Sequence, residues 1–292
     1  MWCKSECQQG PEISVNCCMQ EKAPRNSRTV MREGADPSVP EDIADKCSFA
    51  LHIALELVSV NSAHAEPDLT LVNLLLDYGA DTNTLSSSGE SPLYVTCSKV
   101  LMAVVQKMLN CGAKVNVSKG QKSPLIAACR KRHTSIVELL LREGADPNVP
   151  EDVAGRRSFA LNIALELVSV NFAHAEPDST LVNLLLDYGA DTNTLSSSGE
   201  SPFYVACSKG LTTVVERMLK CGAKVNVSMG QKSPLIAACE NKQHPEIVEL
   251  LLKEGADPNV PEDVADGRSF ALHVALKFAL VPLLLMSLRL IQ

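Results

Sequence analysis

Apolar residues recur along this chain in short helical periods that glycine breaks at regular intervals. In TLVNLLLDYGADTNTLSSSGESP, residues 70–92, Leu71, Val72, Leu74, Leu75 and Leu76 form one apolar stripe. Gly79 ends it, a polar turn follows, and Ser91-Pro92 opens the next stripe. The same letters stand at 180–202. Ser-Pro predicts a helix start: the hydroxyl caps orphan amides, and proline at the first helical position forgoes an N–H that has no partner there. The signal recurs at Ser123-Pro124, Ser201-Pro202 and Ser233-Pro234. Each predicted helix is too short to be stable alone, so neighbouring units must bury one another's apolar faces.

The period is read from Gly-Ala followed by Asp or Lys, at Gly34, Gly79, Gly112, Gly144, Gly189, Gly222 and Gly255. The spacings are 45, 33, 32, 45, 33 and 33, so a unit near 33 residues is nested in a near-copied block of 110 or 111. From Leu93 and Leu125, each the leucine of a Ser-Pro-Leu, the next such glycine lies 19 residues on, whereas Leu51 to Gly79 and Leu161 to Gly189 each span 28. The nine additional residues fall between the two helices, in VSVNSAHAEPD and VSVNFAHAEPD, where Asp68 and Asp178 are placed to cap the second helix. Three more enlarge the preceding hairpins, VPEDIADKCS and VPEDVAGRRS.

GESPLYVTC with VVQKMLNCGAKVN, QKSPLIAAC with IVELLLREGADPN, and the Leu-His-x-Ala core of SFALHIALE resemble the ankyrin repeat, over residues from about 30 to 276. The resemblance implies an all-α solenoid of helix-turn-helix pairs with β-hairpin or finger loops, about six full repeats with partial repeats at each end. The implied layout is an irregular segment or half-repeat at 1–40, three-repeat blocks at 41–150 and 151–261, and a partial repeat with an apolar tail at 262–292. The motif histidine persists only as His52 and His273; Tyr94, Ile126, Asn162, Tyr204 and Ile236 replace it.

Composition narrows the function classes. Aromatics are only 4% of the chain against 46% hydrophobic residues, which suits thin aliphatic helical layers. A net charge of −7 argues against nucleic acid, which needs a basic face. The basic run Arg130–His133 loses most of its charge in the second block and reads as a solvated turn. The N-terminus lacks the apolar core of a secretory signal, so the eleven cysteines read as reduced thiols in a cytoplasmic protein, with a nuclear one also admitted. Cys3, Cys7, Cys17 and Cys18 do not follow a zinc-ligand spacing. His64, Glu66 and Asp68, with their twins His174, Glu176 and Asp178, read as a polar loop, because the accompanying motif a zinc deaminase needs is missing. No metal, cofactor, small-molecule substrate or catalytic residue is expected.

After RSFALHVAL the sequence departs from the repeat into KFALVPLLLMSLRLIQ. Eleven uncharged residues between Lys277 and Arg289, interrupted by Pro282, are too few to span a membrane.

The expected function is therefore that implied by the resemblance: binding of partner proteins on the face built from fingers and first helices. The alternatives are the binding arm of a larger enzyme, channel or ubiquitin-ligase adaptor, and a membrane-associated scaffold. The predicted contact residues are Ser88, Glu90, Tyr94, Lys119, Lys122, Glu151, Asp152, Arg156, Arg157, Ser198, Glu200, Tyr204, Met229 and Lys232. The resemblance also implies hydroxylation of finger asparagines such as Asn116 and Asn226.

Overall fold

The computed structural model describes residues 41–43, 46–48, 50–58, 67–116, 122–153, 156–168, 178–226, 233–241, 244–260, 262–264 and 267–276. The predicted N-terminal half-repeat, the N-terminal cysteines, most of the two long inter-helix loops and the apolar tail lie outside these residues. The chain divides into two units, Met1–Ala145 and Asp146–Gln292.

In the first unit a hairpin of β1 (Glu41–Ile43) and β2 (Lys46–Ser48) precedes six helices. These are α1 (Ala50–Leu57), α2 (Thr70–Asp77), α3 (Pro92–Lys99), α4 (Met102–Asn110), α5 (Pro124–Arg130) and α6 (Thr134–Arg142). The second unit repeats the order with β3 (Glu151–Val153), β4 (Arg156–Ser158) and α7 (Ala160–Leu167) to α12. Between them run α8 (Thr180–Asp187), α9 (Pro202–Lys209), α10 (Thr212–Lys220) and α11 (Pro234–Glu240), with α12 at Pro245–Lys253. A third hairpin, β5 (Glu262–Val264) and β6 (Gly267–Ser269), leads into a helix at 271–276. The fold is the predicted helical solenoid, and the enlarged fingers of the long repeats are two-stranded antiparallel hairpins.

Within each unit the first helices stack on one another, α1 on α3 on α5 and α7 on α9 on α11. The second helices form the other layer, α2 on α4 and α8 on α10 on α12. The aliphatic stripes meet between the layers: Leu51, Leu55, Val72, Leu75, Leu93, Val104, Val105, Met108, Ile136 and Leu140 are all buried. Burying each such side chain is worth about 1.5–3 kcal/mol, which is how helices of seven to nine residues persist. Ser91 and Ser201 cap as predicted, accepting from the amides of Tyr94 at 3.1 Å and Tyr204 at 3.0 Å. The Asp68 carboxylate accepts from the Thr70 amide at 2.9 Å, and the Thr70 hydrogen bonds hold it below the usual carboxylate range.

Consecutive repeats are also tied by asparagines two residues beyond the Gly-Ala-Asp/Lys tripeptides. Asn83 Nδ2 donates to the Gly112 carbonyl at 3.3 Å, and its Oδ1 accepts from the Lys114 amide at 2.8 Å. Asn148, Asn193 and Asn226 repeat both bonds toward Gly189 and Asp191, Gly222 and Lys224, and Gly255 and Asp257. Asn116 donates to the Gly144 carbonyl at 2.9 Å. Asn116 and Asn226 are thus rungs between repeats, with their carboxamides engaged.

Candidate protein-docking face

The fingers at 86–90 and 196–200 are tight turns, built identically in both units. The Ser86 amide donates to the Glu90 carbonyl at 2.9 Å and the Gly89 amide to the Ser86 carbonyl at 2.9 Å, with Gly89 at φ +74°. Ser196, Gly199 and Glu200 reproduce this at 3.0 and 3.1 Å, with Gly199 at φ +75°. Left-handed backbone of this kind favours glycine, so the shared Ser-Ser-Ser-Gly-Glu string fixes the shape of the turn. Ser88 and Ser198 are exposed at the tips, each hydroxyl paired with that of Ser86 or Ser196 at 2.9 and 2.8 Å.

In the first unit three predicted contact residues form one cluster. Lys122 Nζ lies 2.6 Å from the Glu90 carboxylate and 5.6 Å from the centroid of the Tyr94 ring. The Lys122 amide donates to the Gly89 carbonyl at 3.3 Å, so the base of one finger is held by the next. Beneath it His52, buried, places Nε2 3.0 Å from the Glu90 carbonyl. Burial pushes the His52 imidazole below its usual range, partly opposed by the Glu90 carbonyl and the Glu56 and Glu90 carboxylates. Tyr94 is half-buried, with lysine over one ring face, and so packs in part within the chain. In the second unit Tyr204 is half-buried at the matching place in α9.

The hairpin of the second unit divides its predicted residues. Asp152 and Arg157 face each other across the strands, 3.5 Å apart, and Arg157 is exposed. Arg156 lies opposite Val153 in the register. Glu151 departs from expectation: at 1% exposure it offers a partner no surface. Lys119, Met229 and Lys232 lie outside the described residues.

Two polar features escaped the sequence reading. Lys99 reaches across one repeat to the end of α1, where Nζ donates to the carbonyls of Leu55, Glu56 and Val58 at 2.6, 3.2 and 2.8 Å. Lys209 does the same for α7 with Leu165, Glu166 and Val168, at 2.8, 2.8 and 2.9 Å. A helix that runs into a long loop leaves its last carbonyls without partners, and an ammonium also complements the negative end of the helix dipole. The available signal was a lysine at the end of the helix after each long repeat.

The described cysteines with the deepest burial are core residues. Cys97, Cys129 and Cys207 are buried, and burial pushes their thiols far above the usual range, so they act as small apolar core residues. Among the described residues no cluster of three or more His, Cys, Asp or Glu is arranged to hold a metal ion. No described helix is long and apolar enough to cross a membrane.

Comparison with known proteins matches this architecture. The family described as "Ankyrin repeats (3 copies)" matches residues 51–151 and 170–262. Human ankyrin repeat and SOCS box protein 16 is 30% identical over 230 residues, covering 75% of this chain and 50% of that protein. The E3 ubiquitin-protein ligase KEG of Arabidopsis thaliana is 24% identical over 261 residues, 86% of this chain and 14% of the ligase. The human transient receptor potential cation channel subfamily A member 1 is 26% identical over 190 residues, 64% of this chain and 16% of the channel. The crystal structure of the human ASB11 ankyrin repeat domain superposes with a TM-score of 0.52 at 24% identity, over 71% of this chain and 86% of that one. The chain spans half or less of the length of these curated relatives.

Proposed function

The chain belongs to the ankyrin-repeat family, whose domains in general mediate protein–protein interactions, and on that premise we propose that it is a non-catalytic docking array. Partner proteins bind across its fingers and first helices, in a cytoplasmic setting that suits its acidic charge and its buried thiols. The observation that supports this most is the duplicated finger. Two turns of the same sequence and the same hydrogen bonding present Ser88 and Ser198 to solvent, each followed by a half-buried tyrosine in the next helix. A partner with two similar elements would gain avidity from the pair wherever both sites can be reached together.

The test is a quantitative pull-down comparing the wild-type chain with a variant carrying Ser88→Arg, Ser198→Arg, Asp152→Ala and Arg157→Ala. Circular dichroism first establishes that the variant folds. Specific proteins held by the wild type and lost from the folded variant are the expected result; equal retention by both would remove the finger face from consideration.

A second reading is favoured by the names of two relatives, one carrying a SOCS box and one a ubiquitin ligase. Here the array is the recognition arm of a ubiquitin-ligase assembly. Proteins captured through the fingers would then be ubiquitinated in cells expressing the wild-type chain and spared with the finger variant.

A further inference from the structure

The two units are near-copies, yet they differ along one edge. Over the equivalent residues 50–145 and 160–256 the formal charge is +1 in the first and −4 in the second. Four of the five charges of difference fall in one short segment, RKRHTS at 130–135 against ENKQHPE at 240–246. This segment turns from the first to the second helix of its repeat, at the end of α5 or α11 that faces away from the fingers. α3 stacks on α5, so the turn at 100–101 runs beside the turn at 131–132. The eight residues of α3 set this edge about 12 Å from the finger side.

In the second unit the edge is closed by its own side chains. Asn241 Nδ2 donates to the Ser208 carbonyl at 3.1 Å, and the Thr212 hydroxyl donates to Glu246 Oε1 at 3.3 Å. His244 Nδ1 lies 2.9 Å from the same oxygen, and its ring fills the space over Gly210, where a Cβ would overlap it. The first unit has Lys131, Met102, Ser135 and Val100 at the places of Asn241, Thr212, Glu246 and Gly210. Methionine cannot make the hydroxyl–carboxylate bond, and Met102 is 38% exposed. On the neighbouring turn Arg130, Lys131 and Arg132 are all exposed. Arg132 stands at φ 55°, left-handed backbone that disfavours a side chain, so the turn carries its third cation at a conformational cost. Lys99 and His133 are engaged within the chain, Lys99 on the α1 carbonyls and His133 Nδ1 with the Ile136 amide at 3.4 Å.

We infer that the edge formed by Val100, Met102 and Arg130–Arg132 is a second docking surface, apart from the fingers, and that its partner is an acidic stretch of polypeptide carrying an apolar residue. Three adjacent cations call for carboxylates, and an exposed methionine, whose unbranched side chain adapts its shape, calls for an apolar contact. The loss of charge in the second copy, which in the sequence marks a solvated turn, accompanies closure of that same edge by its own residues. Nucleic acid and anionic membrane fit less well, since each needs a broad basic face and the chain carries −7. A second copy of the chain also fits less well, because Glu246 and Glu249 of the acidic edge are already paired with His244 and Lys253.

The test selects random peptides displayed on phage against the wild-type chain. Counter-selection uses a variant with Arg130→Gln, Lys131→Gln and Arg132→Gly, in which glycine suits the left-handed position. Clones kept by the wild type alone should be rich in Asp and Glu and hold a Leu, Met or Phe among them. A labelled peptide made from such a clone should bind the charge variant about tenfold more weakly. Met102→Thr should weaken it roughly fivefold, and should have no effect once the peptide's apolar residue is replaced by serine. The finger variant with Ser88→Arg, Ser198→Arg, Asp152→Ala and Arg157→Ala should bind the peptide as the wild type does, which separates this surface from the finger face. Thermal melting establishes that each variant folds. A selection that yields no acidic clones, or acidic clones held equally by the charge variant, would overturn the assignment. So would a dimer in sedimentation equilibrium that the charge variant loses. Flotation on phosphatidylserine vesicles, or binding of a single-stranded oligonucleotide, stronger than that of the peptide and lost in the same variant, would likewise reject it.

Discussion

Val100 and Gly210 hold the same place at the ends of α3 and α9, and both adopt left-handed backbone, at φ 61° and 72°. Each donates its amide to the cysteine carbonyl three residues back, at 3.2 Å, so the turn needs this conformation whichever residue supplies it. A β-branched residue there costs about 1–2 kcal/mol, of which glycine's larger unfolded entropy returns part. Val100→Gly should therefore stabilise the chain by roughly 1 kcal/mol in urea denaturation. The reverse change is not its mirror image. A Cβ on Gly210 would overlap the His244 ring and come within 2.7 Å of Asn241 Nδ2. Gly210→Val should thus cost clearly more than Val100→Gly gains. Equal and opposite shifts would mean that backbone strain alone sets both.

Among the elements, the ends of α1 and α7 depend on a residue from the next repeat. Lys99 binds the Leu55 and Glu56 carbonyls in the last turn of α1 and the Val58 carbonyl just beyond it, and burial pulls the lysine's pKa below its ordinary value, opposed by Glu56. Hydrogen bonds to a charged group are worth about 1.5–3 kcal/mol, so Lys99→Met should lower stability by an amount of that order. Amide exchange should rise at 50–58 while α5 and α6 stay protected. Lys209→Met should do the same at 160–168. An unaltered exchange pattern would show that water replaces the ammonium without loss. This clamp also marks how far the sequence could be read. Helix starts were legible because Ser-Pro acts within one turn, and repeat boundaries because glycine alone readily takes the left-handed cap. The enlarged fingers and the capping by Asp68 were visible as insertions and as a local carboxylate. Lys99 and Asn83 were not, since their partners lie 41–44 and 29–31 residues away and depend on the stacking itself. Glu151 was misplaced for the related reason that alternation along a three-residue strand does not reveal what encloses it.

In the molecule as a whole, duplication supplies an internal control for protonation. His52 of the first unit and Asn162 of the second occupy one structural position, both buried, at 4% and 5% exposure. The imidazole's folded pKa lies below 6.5, chiefly because burial disfavours its charged form. Between that folded value and 6.5 the unfolded chain therefore binds more protons at this site, and stability rises with pH. The contribution is intact above pH 6.5 and is lost as pH falls from 6.5 through the folded pKa. The Glu56 and Glu90 carboxylates moderate the loss, because both favour the imidazolium. Asn162 has no proton to gain. Stability in a repeat array is approximately a sum of local terms, so acidification should weaken the first unit before the second. Amide exchange at pH 7 and pH 5.5, corrected for intrinsic rates, should show faster opening of α1 and α3 at the lower pH and little change in α7 and α9. His52→Asn should abolish the difference, and Asn162→His should introduce it in the second unit. If both units respond alike and His52→Asn changes nothing, the acid sensitivity resides in carboxylates common to the two copies.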